Sequence, residues 1–498
     1  MNHRNNKDTN YFLLGMRIAL PVLQMLLSAA FVYFIWKSNM IPDRYVLAAG
    51  SVFAVLAVII IALSSMKNRF WGIGTVLSLI VCILAGGGYF YVNKALNLLE
   101  ESRQVYNTSD MVVMVRNDSS AENLYDAADF LFGIQTGVDQ DNTRLMLEDM
   151  KVELDSDIQV REYPTLLEMA QALLDGEVGA IIYNNSYYGL IADALENFDG
   201  QAREIYRYGI HTELVVEEVE AGEPFNILLS GVDTRSDAIE NSRSDVNIIV
   251  TINPKTKKVL LTSTPRDYYV TIPGISWGQR DKLTHAGIYG VDASKAAVEN
   301  LYNTNISYYV RVNFNTVWRV IDALDGLDIY VEKDFIPWTD SEISFQKGWN
   351  HMDGRHVLAY VRERYAFDDG DNARGRNQET VLSALIDKCM SPSVIANAPQ
   401  LLATLSGTFE TDLPDDIISA LINQQLLDST PWKVYKQYAG LGTGDSQTTY
   451  SGGSTPLYVT WPDYFSCKQC SARLRMIFNE RPVKDEPEEE EKPANAVK

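Results

Sequence analysis

Three long apolar segments open the chain and contain no charged residue. They cover residues 18–36, 45–65 and 70–93, and each is long enough to cross a hydrocarbon core of about 30 Å as a helix. No small-residue cleavage site follows the first segment, so we predict retained helices rather than a signal peptide. The pattern predicts a membrane anchor over residues 1–94, with helices at about 12–36, 45–65 and 70–93.

The cations that flank these segments predict their orientation. Arg4, Lys7 and Arg17 precede the first segment, and Lys67 and Arg69 lie between the second and the third. Cytoplasmic loops of membrane proteins carry an excess of Lys and Arg. We therefore expect a cytoplasmic N-terminus, and a multi-pass protein of the cell membrane whose main domains are extracellular.

After the anchor, short apolar runs alternate with segments of helical spacing. We predict strands at 111–115, 157–161 and 178–183, and helices at 121–134 and 165–174. This alternation indicates a small α/β accessory domain over residues 105–215. It contains no catalytic constellation, so binding or spacing is its default role.

A second series of strands and helices begins near residue 224. We predict strands at 225–230, 246–252, 258–263, 308–314, 327–331 and 356–361, and helices at 293–301, 317–324 and 379–388. The expected fold is α/β: an α/β/α domain at 222–440 with a mixed central sheet and helices on both faces, followed by an extension at 441–480. Residues 440–456 are rich in Gly, Ser and Thr and predict a flexible loop, and the acidic stretch 481–498 predicts a disordered tail.

Charge and cysteine content narrow the function further. The 498 residues carry a formal charge of −22, which argues against a nucleic-acid partner because phosphate-backbone binding needs a broad basic face. Cys467 and Cys470 form a single CxxC with no second pair and no nearby histidine. A zinc site is therefore disfavoured, and either a disulfide or two free thiols remain open.

Charged residues recur where the predicted strands of the second domain end. They are Asp233 and Arg235, Arg243 and Asp245, Arg266 and Asp267, Arg362 and Arg364, and then Asp371 and Arg374, which precede a helix together with the neutral Gln378. Ligands bind at strand ends in such folds, arginine forks suit phosphate oxygens, and carboxylates hold divalent cations or accept protons. The pattern predicts a pyrophosphate pocket in which Asp233 and Asp245 hold Mg²⁺; a solvated loop of ion pairs is the plain alternative.

Other enzyme classes fit the sequence less well. It has no Gly-x-Ser-x-Gly elbow, no His-Glu-x-x-His and no phosphate-binding Gly-x-x-x-x-Gly-Lys-Ser/Thr loop. His285 is the only histidine among the candidates. We interpret it as a structural or substrate-contacting residue rather than a catalytic base.

At these residues the sequence resembles the LytR-CpsA-Psr family of Gram-positive envelope proteins, and most closely its capsule-associated CpsA branch. The matching stretches lie within about 224–388 and are FNILLSGVDTRSD, SRSDVNIIVTINPKTKKVLLTSTPRD, DKLTHAGIYG, YYVRVNF and VRERYAF with GDNARGRNQ. The three-helix anchor and the extra α/β domain also resemble that branch. The resemblance implies transfer of a glycan polymer from an undecaprenyl pyrophosphate carrier to peptidoglycan, outside the membrane and with Mg²⁺.

The resemblance also implies roles for individual residues. Asp233 and Asp245 would be metal-linked carboxylates, and Asp233, Asp371 and Arg266 form the expected catalytic set, in which either aspartate could take the hydroxyl proton. The expected pyrophosphate-binding residues are Arg243, Arg266, Lys282, Arg362, Arg364, Arg374 and Gln378. This chain departs from the Arg-Gln that many members carry before the helix, because Asn377 precedes Gln378 and the arginine is Arg376.

We therefore expect an extracytoplasmic phosphotransferase, with capsular polysaccharide as the polymer and a phosphodiester as the new link. Its partners would be the polyprenyl-linked glycan, peptidoglycan and the membrane. The rival interpretations are a non-catalytic membrane regulator of envelope synthesis that binds the lipid-linked glycan, and a glycan-binding scaffold. A regulator would need a cytoplasmic effector, and the predicted cytoplasmic parts are only a short N-terminus and the 65–69 loop.

Overall fold

The computed structural model describes residues 2–38, 41–66, 70–102, 106–214, 219–232, 239–367, 371–389, 409–428, 430–440 and 442–479. These residues fall into two compact units. The first takes its residues from Met1–Glu101, Glu220–Gly222 and Leu413–Pro431, and the second from Ser102–Val219, Glu223–Asp412 and Trp432–Lys498.

The elements are numbered in chain order over the described residues. The helices are α1 (Asn2–Ser38), α2 (Asp43–Ser65), α3 (Phe70–Ser102), α4 (Gln140–Leu154), α5 (Leu166–Leu174), α6 (Tyr188–Ala194), α7 (Phe198–Gln201), α8 (Leu283–Ala286), α9 (Val291–Tyr302), α10 (Phe314–Ala323), α11 (Gly354–Arg362), α12 (Asp371–Cys389), α13 (Asp415–Leu427) and α14 (Tyr464–Phe478). The strands are β1 (Tyr106–Arg116), β2 (Leu131–Gln135), β3 (Gln159–Tyr163), β4 (Ala180–Asn184), β5 (Ala202–Glu213), β6 (Phe225–Val232), β7 (Ser244–Asn253), β8 (Lys258–Ser263), β9 (Tyr269–Thr271), β10 (Arg280–Lys282), β11 (Tyr308–Asn313), β12 (Leu327–Val331), β13 (Gly348–Met352), β14 (Phe409–Thr411), β15 (Lys433–Tyr438), β16 (Thr443–Gln447) and β17 (Leu457–Trp461).

The first unit contains the long apolar helices α1, α2 and α3. Within them, Arg17–Ser38, Asp43–Ser65 and Phe70–Lys94 are long and apolar enough to cross a membrane. Large aliphatic side chains such as Leu47 and Val58 are exposed on these helices, which water would solvate poorly. The prediction of three apolar N-terminal helices is confirmed.

The first sheet of the second unit has the strand order β3-β2-β4-β1-β5. Alternate residues of β1 face opposite sides: Met111 and Val113 pack with α4, whereas Val112 and Met114 pack with α5 and α6. This small α/β arrangement agrees with the predicted accessory domain. The predicted helix at 121–134 is wrong, because this stretch forms a 3₁₀ turn and then β2, whose continuous apolar run is buried between β3 and β4.

The second sheet has the order β14-β11-β6-β7-β8-β15 and combines parallel and antiparallel pairs. Its two faces carry different helices. Ile249 and Leu260 pack with α9 and α14, whereas Ile248 and Leu261 pack against α12. The predicted mixed central sheet with helices on both faces is confirmed.

The predicted strand at 356–361 is wrong, because this stretch lies inside α11. The Asp353 side chain accepts a hydrogen bond from the backbone N–H of His356 at 2.9 Å and caps the helix. Val357, Tyr360 and Val361 are buried at helical spacing. Arg362 is consequently the last residue of a helix and not the end of a strand.

Three further predictions for the second domain change. The strand at 327–331 exists as β12, but it pairs with β13 in a separate two-stranded sheet. Helix α12 begins at Asp371 rather than near Gln378, so Arg374 lies inside the helix.

The 440–456 segment is not simply a flexible loop, since β16 lies in it and pairs with β17. The predicted tail at 481–498 lies outside the described residues.

The CxxC belongs to the core of the second sheet. Cys467 and Cys470 are free thiols, buried on α14 against the sheet. Burial raises the pKa of Cys467 to about 12 and that of Cys470 to about 11, so both stay protonated near neutral pH. They act as small apolar packing residues.

Candidate functional site

The candidate site forms where β7 begins and where the chain leaves β8. Ile248 lies opposite Ser263 in this antiparallel pair, so the same register brings Asp245 opposite Arg266. Nη1 of Arg266 donates to Oδ2 of Asp245 at 2.9 Å, and the hydroxyl of Thr284 donates to Oδ1 at 3.0 Å. Both oxygens of Asp245 are therefore engaged.

Three arginines surround Asp245 electrostatically. Burial alone would raise the pKa of Asp245, but the charges of Arg266, Arg374 and Arg243, with the hydrogen bond from Thr284, outweigh it and lower that pKa. The carboxylate is ionised at neutral pH. It is the shared counter-charge of the three guanidinium groups.

A second ion pair adjoins the first. Nζ of Lys282 lies 2.6 Å from Oδ1 of Asp267, and Nε of Arg266 lies 3.7 Å from the other oxygen of the same carboxylate. The Asp267 side chain is 9% exposed and that of Lys282 is 17% exposed. Arg266 consequently lies between two carboxylates, which fixes the direction of its guanidinium group.

Arg243 is shared between the first sheet and the second sheet. Its Nη1 bonds the carboxylate of Asp193 at the end of α6, while its charge also acts on Asp245. The domain around the first sheet therefore helps to position an arginine of the site.

The turn after α11 is fixed by a buried carboxylate that the sequence analysis missed. Glu363 is 1% exposed, and it accepts backbone N–H groups from Trp338 at 2.6 Å, Tyr365 at 2.5 Å and Ala366 at 2.7 Å. These bonds hold the turn that carries Arg362 and Arg364. An acidic residue between two arginines was the available signal, but its backbone partners are not predictable from the sequence.

Helix α12 brings its N-terminal half close to the ends of β8 and β15. A Cβ atom on Gly375 would lie 2.7 Å from the ring of Tyr438 and 3.1 Å from Oγ of Ser263, so this close approach requires glycine. Asn377 donates from its side chain to the Tyr360 carbonyl at 3.1 Å and ties α12 to α11.

The two arginines of α12 act on different groups. The charge of Arg374 helps to lower the pKa of Asp245. The charge of Arg376 instead opposes the rise in the pKa of Tyr360 and of Glu379. Arg376 and Asn377, where this chain differs from the Arg-Gln of many family members, both interact with Tyr360 of α11.

Glu379 is a second buried carboxyl group, 2% exposed. It accepts the backbone N–H of Ser263 at 2.9 Å. Burial raises its pKa well above the ordinary value, and the charges of Lys436 and Arg376 offset this only in part. Glu379 therefore supports the end of β8 through this hydrogen bond.

An apolar cavity of about 130 Å³ lies between the second sheet and helices α10, α11 and α12. Apart from Gln378, its lining is aliphatic, aromatic or glycine: Leu229, Gly231, Val246, Ile248, Val312, Trp318, Ile321, Gly354, Val357, Leu358, Val361, Val381, Leu382 and Leu385. Gln378 lines the cavity one helical turn after Arg374 on the same side of α12, so the cavity adjoins the charged site. Its volume is below the range of about 300–1,000 Å³ found for whole small-ligand sites, so it has room for only a short part of an apolar chain.

The structure brings some of the predicted site residues together around Asp245. Those around Asp245 are Arg243, Arg266, Asp267, Lys282 and Arg374, and Thr284 is an additional partner that we did not predict. Gln378 lines the apolar cavity rather than the ion-pair cluster. Arg362 ends α11, and Arg364 lies in the turn after it, where it donates to the Tyr365 hydroxyl at 3.0 Å.

The predicted metal and base residues are only partly described. Asp233 and Arg235 lie outside the described residues, and Asp371 is described only as the first backbone position of α12. Within the ranges that are described, no group of three His, Cys, Asp or Glu side chains could hold a metal ion. Asp245 offers an ionised oxygen donor, which suits a hard divalent cation.

Comparison with known proteins identifies two matching family models. Residues 193–445, just over half of the chain, match the LytR_cpsA_psr family. A model described as DNA polymerase processivity factor matches residues 72–183. That second match begins inside α3 and ends inside β4, so it does not coincide with a folded unit.

Several curated proteins are similar to this chain. The polyisoprenyl-teichoic acid–peptidoglycan teichoic acid transferase TagU of Enterococcus faecalis is 34% identical over 196 residues, which cover 39% of this chain and 63% of that protein. The enzyme of the same description, TagT, of Bacillus subtilis is 36% identical over 208 residues, covering 40% and 63%. TagU of Bacillus cereus is 32% identical over 240 residues, covering 48% and 76%.

The chain thus spans less than two thirds of the length of the first two relatives. Among solved structures, that of B. subtilis TagV is 30% identical, with a TM-score of 0.44 over 52% of this chain and 99% of that one. A structure of TagT bound to LI-WTA is 29% identical, with a TM-score of 0.43 over 53% and 95%.

Replacing Glu379 by glutamine isolates the effect of the buried acid. Because its folded pKa is raised, its contribution to stability is fully present below the unfolded pKa, about 4.3, and is lost as the pH rises toward the folded pKa. We expect wild type to lose stability relative to Glu379→Gln as the pH rises above that value. Thermal unfolding of the full chain in detergent, at several pH values, measures this difference.

The matched control is Glu196→Gln, at an exposed position of the same unit. This variant measures the effect of the same substitution at a surface position. A pH-independent difference for Glu379→Gln would mean that Glu379 titrates in the folded chain as it does in the unfolded one.

Proposed function

Because this chain belongs to the LytR-CpsA-Psr family, we propose that it is an extracytoplasmic phosphotransferase. It moves a glycan polymer from a polyprenyl pyrophosphate carrier to peptidoglycan. One observation carries the proposal: arginines converge on Asp245 at strand ends, directly beside an apolar cavity. An amphiphilic donor with a pyrophosphate head and a hydrocarbon tail requires both surfaces.

The head group and the tail are proposed to bind in adjacent places. Guanidinium forks of Arg243, Arg266 and Arg374 suit the phosphate oxygens, and Lys282 and the turn with Arg362 and Arg364 add positive charge. The tail enters the cavity between the sheet and helices α10–α12, where burial of each methylene contributes about 0.8 kcal/mol.

In the proposed reaction a peptidoglycan sugar hydroxyl attacks the phosphorus nearest the glycan. The bond from this phosphorus to the bridging oxygen breaks, undecaprenyl phosphate leaves, and the glycan becomes joined through a phosphodiester. The hydroxyl proton passes to Asp233 or Asp371. Arginines that already point at the phosphates stabilise the charge that develops in the transition state.

Asp245 and Asp233 are proposed to hold Mg²⁺. When bound there, the cation would offset negative charge on the phosphates. The lowered pKa of Asp245 supports this assignment, because a metal ligand must be deprotonated.

The polymer is proposed to be capsular polysaccharide, from the resemblance to the CpsA branch. The similar proteins named above are described as teichoic acid transferases, so polymer identity is the finer part of the proposal. Chemical analysis of the sugars bound to purified walls, with and without the protein, tests it. Loss of wall teichoic acid alone would contradict it.

Replacing Arg266 or Arg364 by alanine should remove charge-assisted contacts to phosphate, worth on the order of 1.5–3 kcal/mol each. We therefore expect transfer to fall by roughly 10- to 100-fold, and lysine to restore it only in part because the fork is lost. The measurement is the amount of polymer attached to isolated walls. The control Arg144→Ala removes an exposed arginine paired with Glu148; full attachment in both site variants would refute the site.

Changing Asp245 to asparagine preserves the shape but removes a negative ligand for the cation. We expect lower turnover and a higher half-saturating Mg²⁺ concentration, with lipid binding retained through the arginines. Asp267→Asn is the matched control, since Asp267 pairs with Lys282 in the same cluster but is not a proposed ligand. If Asp245→Asn lowers stability and leaves the Mg²⁺ titration unchanged, Asp245 is only an ion-pair partner.

The second unit is proposed to lie outside the cell, because the cations that flank the anchor helices favour a cytoplasmic N-terminus. Protease added to wall-stripped cells should therefore digest the chain after α3 while a cytoplasmic marker protein stays intact. Protection of the second unit in intact protoplasts would reverse the orientation and favour the regulator.

A further inference from the structure

A second, larger cavity of about 380 Å³ lies within the second unit, between the domain around the first sheet and loops of the second sheet. Its size falls in the range of about 300–1,000 Å³ found for small-ligand sites. Leu167 and Ala194 line it from the first-sheet domain, Arg243 and Lys282 from the second, and Thr455 from the turn before β17. The accessory domain is therefore one wall of a concave site.

This cavity shares residues with the candidate phosphate site. Arg243 and Lys282 line the cavity, while Arg243 acts on Asp245 and Lys282 bonds Asp267 at 2.6 Å. A group attached to a phosphate at the arginine cluster would consequently enter the cavity. The two cavities differ, because the apolar one lies along α10–α12, whereas this one faces the first sheet and has a lining that mixes charged, polar and apolar side chains.

A buried polar network fixes another part of the lining. Nδ1 of His285 donates to Asp281 at 2.6 Å, and the other oxygen of Asp281 accepts the backbone N–H of Ser451 at 2.8 Å. Because Nδ1 is engaged, Nε2 is the nitrogen through which His285 can meet a ligand in the cavity. His285 is 2% exposed and Asp281 is fully buried, so the ring is held in one orientation.

Tyr450 adds an amphipathic surface to the same lining. Its ring lies 6.2 Å from that of Tyr289, and the Tyr289 hydroxyl bonds Ser451 at 2.8 Å. Tyr450 offers both a ring face and a hydroxyl. A ligand with many hydroxyl groups and small apolar C–H faces fits this combination of charged donors, imidazole and phenol.

We propose that this cavity binds a saccharide, and that the accessory domain is thereby part of the glycan site. The inference rests on the proposed function for the adjacent pyrophosphate. The saccharide has two possible sources, the sugars joined to the carrier pyrophosphate and the acceptor sugars of peptidoglycan. The shared phosphate-binding residues Arg243 and Lys282 favour the sugars of the carrier.

The test fills the cavity without replacing a phosphate-binding residue. Ala194→Trp places a large side chain in it from an exposed position at the end of α6, and Thr455→Trp does so from the opposite wall. Val152→Trp is the matched control, because Val152 is 83% exposed on α4 of the same domain and does not line the cavity. Thermal unfolding of each full-length variant in detergent identifies any that fail to fold.

Three probes separate the outcomes. They are undecaprenyl pyrophosphate, the same lipid carrying an N-acetylhexosamine disaccharide, and a soluble disaccharide-peptide fragment of peptidoglycan. We expect wild type and Val152→Trp to bind the sugar-bearing lipid roughly tenfold more tightly than the free lipid, about the effect of one good polar contact. The two cavity-filling variants should lose this advantage and bind the free lipid as wild type does.

Loss of the peptidoglycan fragment alone would also support the saccharide site, with the acceptor as the source. Unchanged binding of both saccharide probes in a folded variant would overturn the inference while leaving the proposed function intact. Failure of wild type to bind either lipid would instead refute the proposed function, and the peptidoglycan fragment would still decide what the cavity binds.

Discussion

The ion pair between Asp245 and Arg266 is the interaction on which the rest of the site depends. Guanidinium groups repel one another when they are held in a partly dehydrated place. Asp245 removes much of that cost, and its lowered pKa reports the attraction of three arginines. The antiparallel register of β7 and β8 places the two partners opposite each other. Sheet geometry therefore brings the charged partners of the site together.

Carboxylates away from the reacting groups hold this arrangement in place. Glu363 accepts two backbone N–H groups from the turn after α11 and a third from Trp338. Glu379 on α12 accepts the backbone N–H of Ser263. Neither needs to touch a substrate. Their role is preorganisation, since donors that are already oriented do not have to reorganise when charge develops.

The sequence predicted the parts of the fold that local pattern determines. The runs at 225–230 and 258–263 are buried strands because their apolar residues face helices on both sides of the sheet. The run at 356–361 was assigned to a strand because a short apolar stretch is ambiguous between strand and helix. The cap at Asp353 was the signal that distinguishes them, since it begins a helix that buries Val357 and Tyr360.

The charged residues of the predicted site could be listed from the sequence because arginine and aspartate recur at several predicted strand ends. Their pairing was not, because Asp245 meets Arg266 and Thr284 through the register of two strands and the position of α8. Glu363 and Thr284 were missed for the same reason. Their functions arise only when distant segments are brought together.

Arg243 connects the domain around the first sheet to the site on the second sheet. Its guanidinium bonds Asp193 on α6, yet its charge also acts on Asp245 beside β8. Asp193 is 62% exposed, so this pair contributes little to stability and its main effect is on direction. Of the three arginines, Arg243 contributes least to lowering the pKa of Asp245. Arg243 therefore links the accessory domain to the phosphate site, and it also lines the larger cavity.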